Sequence, residues 1–201
     1  MLKNQLRPAL LMTLLLCVLT GLIYPGVVTG LAQIIFPRQA NGSLVSVNGR
    51  VVGSALIGQP FTRPEYFHPR PSAAGNGYDD TLSSGTNKGP TDRKLADTLV
   101  AQAVAEVVKD AGATRGRIPA DMVTSSGSGL DPDVSPANAR LQVARVARAR
   151  GATPAALQRV VDAHTAGRQF GLLGDPRVNV LLLNIAVDSA FPARTPAAPA
   201  R

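Results

Sequence analysis

Between Arg7 and Arg38 the chain runs for 30 residues without a single Asp, Glu, Lys, Arg or His. A helix needs about 20 residues to cross bilayer hydrocarbon, so this stretch suffices for one span with length to spare. Tyr24 and Pro25 fall where such a helix nears the far interface, a depth that suits an amphipathic ring and tolerates a helix break. From Gly26 to Phe36 the chain either continues the helix or lies along the surface. The competing reading is a cleaved signal peptide, because Lys3 and Arg7 precede the apolar run. That run outlasts an ordinary signal core and no clear A-x-A site follows it, which favours a retained anchor. Lys3, Arg7 and the terminal amine on one side, against Arg38 and Arg50 on the other, put the N-terminus in the cytoplasm and the rest outside.

No second long apolar run follows, so the reading is an anchor over residues 1–37, spanning at about 9–31, and one extracytoplasmic α+β domain over 38–190. Residues 191–201 form an Ala/Pro tail expected to be disordered. In the domain, Ser43-Leu44-Val45-Ser46-Val47 alternates apolar and polar residues, and Asn48-Gly49 supplies the two positive-φ positions of a tight turn. Arg50-Val51-Val52 returns as the second strand of a β-hairpin, and Ala55-Leu56-Ile57 is a candidate extension of the sheet. From Gln59 to Pro90, prolines and glycines preclude regular structure. Four of the chain's eight aromatics, Phe61, Tyr66, Phe67 and Tyr78, nonetheless concentrate there, which argues for a segment packed against something.

About four helices follow. Asp92 caps one through Ala111, with Val100, Val104, Val107 and Val108 on one face and Gly112 as its stop. Ser135-Pro136, Thr153-Pro154 and Asp175-Pro176 each pair a capping oxygen with a proline at the first helical position. Leu157, Val160, Val161 and His164 share a stripe on the third helix. Val178, Leu181, Leu182 and Ile185 do so on the fourth, where the β-branched content leaves a buried strand open.

The net charge of +8 raises nucleic acid as a partner, but the basic residues are scattered and no aromatic, zinc-finger or heptad signature accompanies them. With one Cys, Cys17, and two His, neither a disulfide nor a metal site is supported. His164 on an apolar stripe and His68 between Phe67 and Pro69 both read as packed residues. Gly127-Ser128-Gly129 lacks the strand-turn-helix setting of a nucleophile elbow. Ser83–Pro90 and Ser125–Pro132 are amide-rich loops suited in principle to an anion, although neither satisfies the P-loop pattern.

Several stretches then run in a familiar order. They are Thr20-Gly21-Leu22-Ile23-Tyr24-Pro25, Gly53-Ser54-Ala55-Leu56-Ile57-Gly58-Gln59-Pro60-Phe61 and Tyr66-Phe67-His68-Pro69-Arg70-Pro71-Ser72-Ala73. After these come Ser83-Ser84-Gly85-Thr86-Asn87-Lys88-Gly89-Pro90 and Ile118-Pro119-Ala120-Asp121-Met122-Val123-Thr124-Ser125-Ser126-Gly127-Ser128-Gly129-Leu130-Asp131-Pro132. Gln142, Arg145-Val146-Ala147, Gly171-Leu172-Leu173-Gly174 and Val178-Asn179-Val180 complete the series. Over residues 10 to 188 the chain resembles the C subunit of the Kdp-type potassium-transporting ATPase. It departs from that family at Thr86-Asn87-Lys88, where serine, asparagine and leucine are usual.

The resemblance implies a non-catalytic accessory subunit of an ATP-driven, high-affinity potassium import complex in the bacterial inner membrane. Its implied partners are a channel-like potassium subunit, a P-type ATPase subunit that hydrolyses ATP, and the lipid bilayer. The family is described as an assembly factor and as a catalytic chaperone that raises the pump subunit's ATP affinity. No cofactor is assigned to the chain itself; ATP enters only through the complex. Tyr66, Phe67, Arg70 and Ser72 are the candidate partner contacts. Ser84, Gly85, Asn87, Ser126, Gly127, Ser128, Gly129, Asp131 and Gln142 are the candidate nucleotide or polar-loop contacts. The alternative from another class is a membrane-anchored serine hydrolase using Ser128 or Ser84, and a solute-binding module is a third reading.

Overall fold

The computed structural model describes residues 2–192 and divides the chain into two compact units, residues 1–52 and 53–201. The first unit is dominated by one long helix, of which Gln5–Ile35 is long and apolar enough to cross a membrane and has none of its apolar window buried. It comprises α1 (Leu2–Val18), a π-helical turn (Leu19–Ile23) and α2 (Tyr24–Ile35), so the chain continues past Pro25 as helix. A proline in mid-helix removes an amide and collides with the carbonyl four residues back. The π turn lies just where that strain would fall, with the Tyr24 amide donating to Leu19 O, one residue further than in an α-helix. Leu15→Lys, in the middle of this helix, is expected to impair insertion by about 2.5–3.5 kcal/mol. Carbonate extraction of membranes should find the variant in the soluble fraction.

After a short α3 (Pro37–Ala40) comes the hairpin of β1 (Leu44–Val47) and β2 (Arg50–Ser54). Asn48 and Gly49 take φ values of 51° and 79°, the turn expected from Asn-Gly. Residues 55–57 do not extend it. The Ser54 hydroxyl accepts from the Leu56 amide, turning the chain out of the strand.

The second unit holds a second π-helical turn (Leu95–Val100) and α4 (Ala101–Ala111), followed by a three-stranded antiparallel sheet and helices α5 (Pro136–Arg150), α6 (Pro154–Ala163) and α7 (Val180–Ala190). The strands are β3 (Asp133–Val134), β4 (Thr165–Ala166) and β5 (Arg177–Asn179), in the order β3-β5-β4, with Val178 opposite both Val134 and Thr165. Ser135 and Thr153 cap α5 and α6 as their prolines suggest, through Asn138 N and Ala156 N. Asp175-Pro176 caps nothing. Residues 177–179 pair on both edges as β5, and the Asn179 side chain instead caps α7 by accepting from Leu182 N.

The core joins Phe67, Val134, Val143, Val146, Leu157, Val161, Val178, Leu183 and Val187, from the irregular segment, strands β3 and β5, and helices α5, α6 and α7. Asp92 caps the helix leading into α4 through the amides of Lys94 and Leu95, and Gly112 ends it at φ 64°. Its valine stripe is only half-buried, and Val108 is exposed. His164 is exposed as well, at the end of α6, with Nδ1 2.9 Å from Val160 O, so it does not complete the buried stripe. From residue 193 onward the expected Ala/Pro tail lies outside the described residues.

Candidate functional site

The irregular segment 59–90 is held in place by polar side chains of α5 and α7. Asn184 is 1% exposed and treats Phe67 as a neighbouring strand would, with Oδ1 accepting from Phe67 N at 2.8 Å and Nδ2 donating to Phe67 O at 3.0 Å. Gln142 does the same for His68, accepting from its amide at 2.7 Å and donating to its carbonyl at 3.0 Å, and Nε2 also donates to Asn138 Oδ1 at 2.8 Å. Arg145 Nη1 donates to the carbonyls of Pro64 at 2.7 Å and Tyr66 at 3.0 Å. Its Nε lies 2.8 Å from Asp110 Oδ2, an ion pair in which the N–H is not aimed for a hydrogen bond. Arg150 reaches Glu65 O, Phe191 O and Asp188 Oδ1 at 2.8, 3.0 and 2.6 Å. A loop has no ladder of its own, and these side chains satisfy backbone groups that burial would otherwise leave unpaired.

The clamps present Tyr66 at the surface. The guanidiniums of Arg63 and Arg150 each lie 4.9 Å from the centroid of its half-buried ring, and its hydroxyl meets Arg63 Nη2 at 3.0 Å and Asp188 Oδ2 at 3.3 Å. Phe61 tilts against it at 5.4 Å. Phe67, expected beside Tyr66 as a contact residue, is 0% exposed, so its ring is core and only its neighbours face outward. Tyr66 closes a turn, its amide donating to Arg63 O at 3.1 Å, and Phe67 follows it into the core. His68 is half-buried and hydrogen-bonded to Arg63 O. Burial, and then the Arg145 charge, lower its pKa from 6.5, against opposing contributions from the Arg63 carbonyl and then Asp110. A cleft of about 630 Å³ lies beside these residues, lined by Phe61, His68, Arg70, Ser72, Tyr78 and the α4 residues Ala103, Val107 and Asp110.

The two amide-rich loops pack on one another. Ser84 N and Ser83 Oγ both donate to Ser128 O, at 2.9 and 3.0 Å. Gly129 N is taken by Ser126 Oγ and Leu130 N by Ser128 Oγ. Gly85 approaches Gly127 so closely that a Cβ would come within 3.0 Å of its carbonyl. Ser72 Oγ donates to Gly129 O at 2.6 Å and accepts from Tyr78 N and Ala74 N. Arg70 Nη1 pairs with Asp131 Oδ2 at 2.8 Å, while the Tyr78 hydroxyl donates to Arg70 O at 2.6 Å. Burial, followed by the Asp131 charge, raises the Tyr78 pKa well above its ordinary value.

Arg70, Ser72, Ser84, Gly85 and the residues Ser126 to Asp131 thus form one cluster. Gln142 belongs instead to the α5 clamp, and exposed Asn87 stands apart at φ 53°. Lys88, the cation nearest these amides in sequence, is committed to Asp92 at 2.9 Å. Three of the amides that would face a phosphate, Ser84 N, Gly129 N and Leu130 N, serve the loops themselves. Ser128 Oγ meets Ser126 Oγ and Leu130 N, and Ser84 Oγ donates to Gly85 O. Among the described residues neither serine has an imidazole partner, so neither has the adjacent base that nucleophilic catalysis requires.

Sequence reasoning missed Arg150, Asn138 and Asn184 as determinants of this surface, and named Arg145 only among the motifs that carry the family resemblance. Asn138, Gln142 and Arg145 recur at i, i+4 and i+7, a polar stripe on a face that also carries buried Ala139, Val143 and Val146. That spacing was the available signal.

The family model described as KdpC: K+-transporting ATPase, c chain, matches residues 6–189. A potassium-transporting ATPase KdpC subunit of Gemmatimonas aurantiaca is 64% identical over 187 residues, 92% of this chain and 93% of the relative. Proteins with the same description in Koribacter versatilis and Myxococcus xanthus are 55% identical over 194 residues and 58% over 183. Those alignments cover 96% and 90% of this chain, and 99% and 86% of the relatives.

Proposed function

The chain belongs to the KdpC family of K+-transporting ATPase c chains and is an accessory rather than catalytic subunit; from that premise we propose that it docks on the channel-like potassium subunit and assists assembly of the complex. The observation that carries this reading is the clamp. Gln142, Arg145, Arg150 and Asn184 hold an irregular segment in one conformation and present Tyr66 and Arg63 on it. A surface fixed before binding loses little conformational entropy when a partner arrives, and Tyr and Arg supply both area and directional bonds. Arg70 and Ser72 support that surface from behind through Asp131 and Gly129.

In this reading residues 1–37 are retained as the anchor and residues 38–190 act outside the cytoplasm of the bacterial inner membrane, in line with the basic N-terminal flank. The chain raises the pump subunit's ATP affinity by favouring one conformation of the complex, without touching nucleotide. Engagement of the Ser84, Gly129 and Leu130 amides by the two loops supports an indirect effect. Tyr66→Ala combined with Arg63→Ala should weaken retention by the partner subunits by roughly thirty-fold, the consequence of losing about 2 kcal/mol at an interface hot spot. The measurement is co-purification of the three subunits from detergent-solubilised membranes. Undiminished complex yield with the double variant would count against the reading.

A further inference from the structure

Between β4 and β5 the chain makes a tight finger whose tip is apolar and unburied. Phe170 is 96% exposed, Leu172 75% and Leu173 56%, on a domain whose other large apolar side chains are mostly covered. The finger is rigidly built. Gln169 and Leu173 exchange backbone hydrogen bonds of 2.9 Å in both directions, Gly171 N donates to Arg168 O, and Leu172 N donates to Gln169 O. Arg168 Nη2 and Asp175 Oδ1 close its base at 2.9 Å. Phe170 takes φ +54°, a conformation that costs an L-residue with a bulky side chain and that no interior contact of its ring offsets. Strain held by a defined scaffold at an exposed aromatic points to a use for that aromatic.

We infer that this finger inserts Phe170, Leu172 and Leu173 into the apolar boundary of the bilayer. Three observations favour lipid as the occupant. The amides of Gln169, Gly171, Leu172 and Leu173 are already satisfied inside the turn, which lowers the cost of moving them into a low-dielectric medium without hydrogen-bonding partners. The flanking charges cancel, Arg168 against Asp175 and Arg177 against Asp133, so apolar area rather than attraction to anionic headgroups drives the contact. The chain also carries a helix, Gln5–Ile35, long and apolar enough to span a bilayer. The finger is covalently tethered to that helix within one chain. A tethered apolar finger meets the bilayer as an intramolecular event, at high effective concentration.

The protein contains no tryptophan, so Phe170→Trp creates a single fluorescent reporter at the tip. The full chain bearing it is reconstituted into phosphatidylcholine vesicles, alone and with its partner subunits. The expected result is a blue-shifted emission, quenched by lipids brominated on their acyl chains, shielded from aqueous iodide, and unchanged when salt rises from about 0.1 to 1 M. Leu172→Asp with Leu173→Asp in the same background should abolish the bromolipid quenching. Three results would overturn the inference: quenching by iodide but not by bromolipid; shielding that requires the partner subunits and leaves bromolipid without effect, which would assign the finger to a protein pocket; or quenching indifferent to the two aspartates.

Discussion

Phe67→Ala is expected to destabilise the second unit by about 3–5 kcal/mol, the cost of emptying a fully buried aromatic site. For a unit of this size that corresponds to a fall of roughly 6–20 °C in the melting temperature. Thermal unfolding of the full chain in detergent micelles, followed by circular dichroism, measures it. Phe67 is 0% exposed and packs in the cluster containing Val146, Leu183 and Val187. Asn184 fixes its backbone on both sides, which limits how far the segment can collapse into the space left behind. Phe170→Ala provides the contrast. Its ring is almost wholly exposed, so the same truncation should leave the melting temperature unchanged. A loss below about 1 kcal/mol at Phe67 would mean that the irregular segment is not part of the core.

Gly129→Ala should cost roughly 2–5 kcal/mol, from a left-handed backbone of about 1–2 and overpacking of about 1–3. Gly129 sits at φ +68°, and an added Cβ would lie 2.5 Å from Ser84 O, 2.7 Å from Ala74 N and 2.9 Å from Ala74 Cβ. Two of those atoms are backbone and the third belongs to a fully buried residue, so none can swing aside. Two residues earlier, Gly127 has nothing within 4 Å of the corresponding position and should accept Ala without penalty. Unfolding of the two variants in parallel separates the loops' mutual packing from any general intolerance of this glycine-rich stretch. Equal stability of the two would remove the basis for treating Arg70, Ser72, Ser84 and Ser128 as one structural cluster.

The long apolar helix was legible because its signal is one-dimensional: a run of residues without charge needs no partner in order to be recognised. The Asn48-Gly49 hairpin and the caps at Asp92, Ser135 and Thr153 were legible for a related reason, since each rests on interactions spanning two to four residues. Asp175-Pro176 carried the same signature and failed. Val178 gains strand partners on both sides from residues more than ten positions away, and that pairing displaces the cap to Asn179.

The candidate site divides along the same line. Concentrated aromatics marked residues 59–90 as a packed segment, and the order of motifs placed the chain in its family. Which side of the segment faced inward depended on what α5 and α7 offered it. Phe67 is core because Asn184 and Gln142 pair with the backbone on either side of the peptide joining Phe67 to His68, at sequence separations of 117 and 74 residues. The amide-rich loops 83–90 and 125–132 each looked open to an anion when read alone. Only their packing against one another shows where the Ser84 amide and the Ser83 hydroxyl go, both to Ser128 O. By itself the sequence determined the helix that can span a bilayer, the hairpin, most of the helix starts and the family. Tertiary structure decided which polar groups were consumed internally and which apolar ones were left exposed, because a buried hydrogen bond is specified by two partners and the chain records only one of them at each position.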